Sequence, residues 1–230
     1  MKYSYILPLI LSLSLFSSIQ ADEYDDTWYD EDTTIKEESS VNPSKGFYIG
    51  AGYGVSTYRD GGYISDIEKE HNIQTLLKNY DTSGYKLYLG YQFNRVVAIE
   101  GSYTNYGKFT VEDSYFDGEI VALSPTSISL AANVGYSFGQ YAEYRPFIIM
   151  GLSRMEMNED GYVNVFRESS GNSLRMGLGF EYAPYESNGL GLRIAYEQDD
   201  FTLSEEKVTD ASKTYKQNFS LAYFGVQYKF

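Results

Sequence analysis

The sequence contains no cysteine and only one histidine, and both shortages restrict the chemistry open to it. Without cysteine the chain has no disulfide, no thiol nucleophile and no thiolate metal ligand. His71 alone cannot build a histidine-rich metal centre, and the carboxylates around it lack the spacing of metal ligands. We therefore expect no metal site, no cofactor and no catalytic residue, and we predict that the protein is not an enzyme.

Basic residues are also scarce, since 18 lysines and arginines stand against 32 acidic residues and leave a formal net charge of −14. Such a balance argues against binding to the phosphate backbone of nucleic acids. Beyond residue 21 the sequence has no apolar run long enough for a transmembrane helix. A membrane protein of this composition would have to cross the bilayer in another way.

The first 45 residues divide into two segments that we set apart from the folded region. Residues 1–21 resemble a secretory signal peptide, with Lys2 at the start, an apolar core over 6–16 and an acceptable cleavage site at Ala21. That core is shorter than the roughly 20 residues that a membrane-spanning helix needs. Residues 22–45 are strongly acidic and show no periodicity, which predicts a disordered acidic tail after signal cleavage.

From Gly46 to Phe230 the sequence alternates between apolar residues and a second set rich in Gly, Ser and charge. Successive side chains of a strand point to opposite faces, so this alternation predicts strands with one apolar and one polar face. Most of the predicted strands are about ten residues long, which suffices to cross a bilayer when the strand is tilted. The eight predicted strands are 46–58, 84–93, 96–106, 127–138, 144–155, 173–182, 190–198 and 215–230.

The alternation does not by itself say which face points outward, because a soluble barrel would show the same pattern inverted. The predicted export signal and the many glycines on the charged face favour a narrow barrel with its polar face inside. The 144–155 strand is nearly all apolar; we place Ile148, Met150 and Leu152 outward because Gly151 and Ser153 then face inward. Aromatic residues also gather at one end of the strands, as in an interfacial girdle: Phe47, Tyr91, Phe93, Tyr136, Phe138, Tyr144, Tyr182, Tyr228 and Phe230.

The predicted connections alternate in length, as in outer-membrane barrels. Those over 94–95, 139–143 and 183–189 are short, whereas those over 59–83, 107–126, 156–172 and 199–214 are long. Residues 46–230 therefore resemble the eight-stranded OmpA/OmpX-type outer-membrane β-barrel family. The resemblance implies an all-β fold, an antiparallel up-and-down transmembrane barrel, in the outer membrane of a Gram-negative bacterium, with both termini in the periplasm.

Two sets of residues are the candidate sites. Gly225, Tyr228 and Phe230 have the spacing of the C-terminal signal that the barrel-assembly machinery reads in this family. The predicted inward charges are Lys86, Glu100, Arg175, Glu181, Arg193 and Glu197. Buried charges must pair, so we expect Arg175 to face Glu197 directly, and Glu181 and Glu100 to be diagonal neighbours of Arg193 and Lys86 respectively.

The pairing predicts a plugged and stiffened barrel, with a narrow ion path gated by the same charges as the alternative. The expected role is structural or one of surface interaction, of the adhesion type, through the long loops. A low-conductance, porin-like channel and, further off, a lipid-modifying enzyme are the other hypotheses. Expected partners are outer-membrane lipid, the assembly machinery, and an extracellular ligand or host surface, but not nucleic acid.

Overall fold

The computed structural model describes residues 45–62, 75–77, 81–113, 119–161, 170–205 and 213–230. The predicted signal peptide, His71 and the predicted acidic tail other than Lys45 lie outside these residues and stay predictions. In the part of the chain that is described, no helix is long and apolar enough to span a membrane.

Twelve strands make up the described structure, and eight of them form a closed antiparallel barrel. Around the barrel the order is β1-β12-β11-β10-β8-β7-β4-β3, and β3 pairs with β1 to close it. In chain order the strands are β1 (Gly46–Arg59), β2 (Thr75–Leu77), β3 (Asp81–Gln92), β4 (Val97–Asn105), β5 (Phe109–Asp113), β6 (Glu119–Leu123), β7 (Thr126–Gly135), β8 (Tyr144–Glu156), β9 (Glu159–Gly161), β10 (Ser170–Tyr182), β11 (Leu190–Glu205) and β12 (Lys213–Lys229).

The outer face of the barrel is apolar, as the alternation predicted. Ile148, Met150 and Leu152 of β8, whose facing was the hardest to assign, are all exposed on the outside. The alternate positions carry the buried polar side chains, so the barrel is inverted relative to a soluble protein. The other residues predicted to face outward are likewise exposed: Leu87, Leu89, Leu130, Val134, Leu178, Leu192 and Ile194.

The end of β7 differs from the prediction for a reason that lies in β8. We expected this strand to continue to residue 138, but it ends at Gly135. Opposite this point stands Pro146, which has no N–H to donate to the ladder. Tyr136 still donates to the Pro146 carbonyl at 3.2 Å, but only an isolated bridge between Phe138 and Tyr144 follows.

Three of the predicted long loops contain strands. Strands β2, β5, β6 and β9 form a separate four-stranded sheet in the order β2-β5-β6-β9. The fourth predicted loop, 199–214, is mostly strand as well, since β11 runs to Glu205 and β12 begins at Lys213. The segments 109–113 and 119–123 are short apolar runs interrupted by charges, which is only a weak strand signal, so the sequence predicts loop there.

Glycines at two wall positions allow aromatic rings to lie flat against the inside of the barrel. Gly50 pairs with Tyr88, and Gly90 pairs with Tyr48, across β1 and β3. A Cβ atom on Gly50 would lie 2.3 Å from the Tyr88 ring, and one on Gly90 would lie 2.4 Å from that of Tyr48. These two rings pack beside the charged side chains at the centre of the barrel.

Candidate functional site in the barrel interior

Eight charged side chains are buried inside the described part of the barrel, four of them acidic and four basic. We call this set the interior charge network. Five strands supply it: β3, β4, β8, β10 and β11. Its members are Lys86, Glu100, Arg145, Arg175, Glu181, Arg193, Glu197 and Asp199, and they include all six residues singled out from the sequence.

Arg175 and Asp199 form the part of the network nearest the long connections. Arg175 Nε donates to Asp199 Oδ1 at 2.8 Å and its Nη2 donates to Oδ2 at 2.6 Å, a bidentate pair. Tyr106 and Ser153 also donate hydroxyl hydrogens to Asp199, at 2.6 and 2.8 Å. The remaining guanidinium hydrogens are donated to hydroxyl groups of β4, β7 and the residue after β4: Ser102, Thr104, Tyr106, Ser127 and Ser129.

Lys86 occupies the middle of the network between two carboxylates. Its Nζ donates to Glu197 at 2.6 and 2.7 Å and to Glu100 at 2.9 Å. Glu197 also accepts a hydrogen bond from the Tyr223 hydroxyl at 2.7 Å and lies 3.7 Å from Arg175. Glu197 therefore joins the middle of the network to the Arg175–Asp199 pair.

Arg193 continues the network toward the short-turn end. Its Nη2 lies 2.7 Å from both Glu100 Oε2 and Glu181 Oε1. The guanidinium is also sandwiched between aromatic rings, 4.2 Å from the Tyr88 centroid and 4.6 Å from that of Phe147. Arg145 then pairs with the second oxygen of Glu181 at 3.3 Å.

Acids and bases alternate along the whole network. The order is Asp199, Arg175, Glu197, Lys86, Glu100, Arg193, Glu181 and Arg145. Each buried charge therefore has an opposite charge beside it, which offsets much of the cost of removing it from water. Within the described residues no group of three or more histidine, cysteine, aspartate or glutamate side chains is placed to hold a metal ion.

The predicted register of the β10–β11 hairpin is wrong by two residues. Arg175 faces Asp199 rather than Glu197, and Glu181 faces Arg193 directly rather than diagonally. The short 3-10 turn at Tyr185–Ser187 accounts for this shift, because it displaces the centre of the hairpin from 186 to 187. Glu197 becomes the diagonal neighbour of Arg175.

The β3–β4 register is also shifted from the prediction. Lys86 faces Thr104, so Glu100 lies four residues from the facing position rather than two. The contact forms nevertheless, because the long lysine side chain reaches along the barrel axis.

Two members of the network were missed in the sequence. Asp199 was assigned to a loop, although it has the same inward parity as Arg193 and Glu197 in β11. Arg145 is the second residue of β8, the strand with the least regular alternation, but it shares its parity with the inward Gly151 and Ser153. Extending the alternation of the 190–198 strand by one residue finds Asp199, and following the inward positions of the 144–155 strand back to its start finds Arg145.

Above the charge network, toward the long connections, the interior becomes apolar. Tyr58 and Phe219 stack with their ring centroids 4.6 Å apart, and Tyr106 and Phe109 pack against Phe219 at 5.6 and 6.1 Å. We call these four residues the aromatic cap. All four are fully buried, although the polar inner face predicted from the sequence did not include such a layer.

A family model for the outer membrane protein beta-barrel domain matches residues 11–230. The chain belongs to this family. A search of curated proteins found no match.

Solved outer-membrane proteins share the fold. The crystal structure of OprG from Pseudomonas aeruginosa aligns with a TM-score of 0.51 and 14% identity, over 81% of this chain and 97% of OprG. The solid-state NMR structure of AlkL in DMPC lipid bilayers aligns with a TM-score of 0.53 and 12% identity, over 88% of this chain and 98% of AlkL. At these identities the likeness concerns the fold alone.

Membership of this family places the barrel in the outer membrane, so its apolar outer face meets lipid. The aromatic residues predicted to form one girdle do lie together at the short-turn rim. Phe47 packs on Tyr91 at 4.7 Å, and Tyr144 stacks on Tyr182 at 5.1 Å. Such belts are typical of the membrane–water boundary, where the ring is apolar and the hydroxyl is wet.

Proposed function

We propose that this outer-membrane barrel is a surface-interaction protein whose long connections face the cell exterior and bind a partner there. The observation that carries the proposal is ordered β-structure beyond the lipid-facing band. On β11 the outward residues are apolar up to Tyr196 and become polar at Gln198, Asp200 and Thr202. The hairpin therefore continues past the level at which the hydrocarbon layer of the membrane ends.

The lengths of β11 and β12 also indicate that this hairpin extends beyond the lipid-facing band. A transmembrane strand needs about 9–11 residues, whereas β11 has 16 and β12 has 17. In the extended part Asn218 donates to Asp200 at 2.6 Å and Gln198 donates to the same oxygen at 3.3 Å. Together with the sheet β2-β5-β6-β9, this hairpin would form a stable platform beyond the hydrocarbon layer.

The charge of the long connections favours a basic partner. Residues 107–126 contain four acidic residues, Glu112, Asp113, Asp117 and Glu119, against one lysine, Lys108. Residues 156–172 likewise contain four acidic residues against one arginine. Opposite charge accelerates and orients an encounter, so a protein surface rich in lysine or arginine fits this side of the barrel.

The side chains inside the barrel support the proposal that the protein does not conduct ions. The alternating ion pairs link side chains of five strands across the lumen, and the aromatic cap lies beyond them toward the long connections. The channel hypothesis predicts steps of current in a planar bilayer, and we expect the purified protein to give none. The proposal includes no catalytic step.

We also propose that the protein reaches the outer membrane by export and assembly, as predicted from the sequence. Residues 1–21 would direct export, the termini would stay in the periplasm, and the strand that ends at Phe230 would be read by the assembly machinery. The pairing of Gly225 with Gly52 and of Tyr228 with Ile49 supports a role for β12 in closing the barrel.

The proposal is tested with protein in phospholipid nanodiscs and two kinds of bead, one coated with the basic protein lysozyme and one with acidic serum albumin. We expect binding to lysozyme beads that falls with salt, and a several-fold loss in the variant Glu112→Gln/Asp113→Asn/Glu119→Gln. The matched control is Glu143→Gln/Glu186→Gln, which removes acids at the short-turn end. Equal binding to both beads, or an equal loss in the control, would contradict the proposal.

A further inference from the structure

The outward-facing charges of the barrel wall are confined to one end. In the barrel strands the outward positions that carry charge are Arg59, Asp81, Arg154, Glu156, Asp200 and Lys216. All six lie beyond the apolar band on the side of the long connections. The residues nearest to lipid therefore include cations, although the whole chain carries a net charge of −14.

Two of these cations lie together on the seam between β1 and β12. Arg59 faces Asn218, and Lys216 is two residues further along β12 on the same outer face. Diagonal neighbours of this kind have Cα atoms about 7–8 Å apart, so both long side chains can reach one anion. Both residues are exposed, and among the described residues neither forms an ion pair.

Two acids stand beside this pair on the neighbouring strands. Asp81 of β3 pairs with Thr57 and is a diagonal neighbour of Arg59, whereas Asp200 of β11 faces Asn218. Asp200 is half-buried and accepts hydrogen bonds from Asn218 and Gln198, so amides partly screen its charge. An anion held between Arg59 and Lys216, on the seam itself, would lie nearest to the two positive charges.

The height of the pair matches the polar layer of the membrane. Val55 is the last large apolar residue on the outer face of β1, and Arg59 follows it by four residues. At about 3.3 Å per residue and a strand tilt of about 40°, Arg59 lies about 10 Å above Val55. The headgroup region adds about 5–7 Å to each side of the hydrocarbon core, and an arginine side chain can bend back toward it.

We propose that Arg59 and Lys216 form a binding site for the phosphate of a phosphorylated lipid headgroup in the outer leaflet. Arg59 can hold two phosphate oxygens with its planar guanidinium, while Lys216 adds a point charge from the neighbouring strand. The site would fix a lipid on the β1–β12 seam, where the first and last strands of the barrel meet. It is independent of the surface-interaction role, because it faces the membrane and not the external medium.

The test uses native mass spectrometry of the full-length protein in detergent with added bisphosphorylated lipid A, compared with the same lipid after enzymatic dephosphorylation. We expect wild-type protein to retain the phosphorylated lipid and not the dephosphorylated one. The variant Arg59→Gln/Lys216→Gln should bind about thirtyfold more weakly, from the combined typical contribution of two cations to binding at an anionic membrane. Both residues are exposed, so an unboiled gel should show the variant folded.

The matched control is Arg95→Gln, which removes an exposed cation at the opposite end of the barrel and should leave binding unchanged. Equal retention of both lipids, or unchanged binding by the double variant, would overturn the proposal. Inorganic phosphate at millimolar concentration should displace little lipid A. Complete displacement would mean that the pair recognises free phosphate and would refute a lipid site.

Discussion

The Arg175–Asp199 pair offers the sharpest test of how the interior holds the barrel together. Replacing Arg175 by methionine leaves the buried Asp199 carboxylate without its guanidinium. The variant loses two hydrogen bonds of 2.6 and 2.8 Å to a charged group, each contributing about 1.5–3 kcal/mol. Removing one partner of a buried ion pair typically costs about 3–5 kcal/mol, so we expect a loss of about 4 kcal/mol in unfolding free energy.

The double variant Arg175→Met/Asp199→Asn should be more stable than the single variant. An asparagine can accept one of the hydrogen bonds from Tyr106 and Ser153 with its oxygen and donate from its amide nitrogen to the other hydroxyl, while no charge is left unpaired. Ser102 and Ser129 already share a hydrogen bond of 2.7 Å, so both hydroxyls stay paired once the guanidinium is gone. We expect the double variant to lose only about 1–2 kcal/mol.

The measurement is a urea titration in phospholipid vesicles, with the folded fraction taken from the mobility of unboiled samples on an SDS gel. A third variant, Asp199→Asn alone, completes the double-mutant cycle. Additive losses in the cycle, or an unchanged midpoint for Arg175→Met, would refute the view that the interior charges stabilise the barrel as pairs.

Three further outcomes follow from the geometry. Leu178 is 61% exposed on the outer face, so Leu178→Arg should cost about 2–4 kcal/mol in the same titration, whereas Thr202→Arg, beyond the lipid band, should cost much less. Gly50→Val should block folding or strongly lower the urea midpoint, because its Cβ would lie 2.3 Å from the Tyr88 ring; a wild-type midpoint would contradict that packing. Phe230→Asp should lower the amount of protein in the outer membrane of cells more than it lowers the stability of refolded protein, and normal levels in cells would remove the argument for an assembly signal.

The number of barrel strands and the facing of their side chains could be predicted because each depends on a local property. A strand repeats every two residues, so Leu178 and Arg175 must lie on opposite faces whatever their neighbours are. The outward placement of Leu152 followed from the same rule, once Gly151 was assigned to the crowded interior. The six interior charges could be predicted from the alternation along each strand alone, without knowing which strands or charges pair.

Which charge meets which could not be predicted, because contacts inside a barrel depend on register and closure. The hairpin at Tyr185–Ser187 is shifted by one residue at its centre, and this small shift makes Asp199 and not Glu197 the partner of Arg175. Lys86 meets Glu197 at a separation of 111 residues, across a lumen that exists only after β1 has paired with β12. The aromatic cap likewise joins Tyr58 and Phe219, which no local pattern connects. Alternation along a strand is a property of the backbone of that strand, whereas the content of the interior is decided by the strands that closure brings face to face.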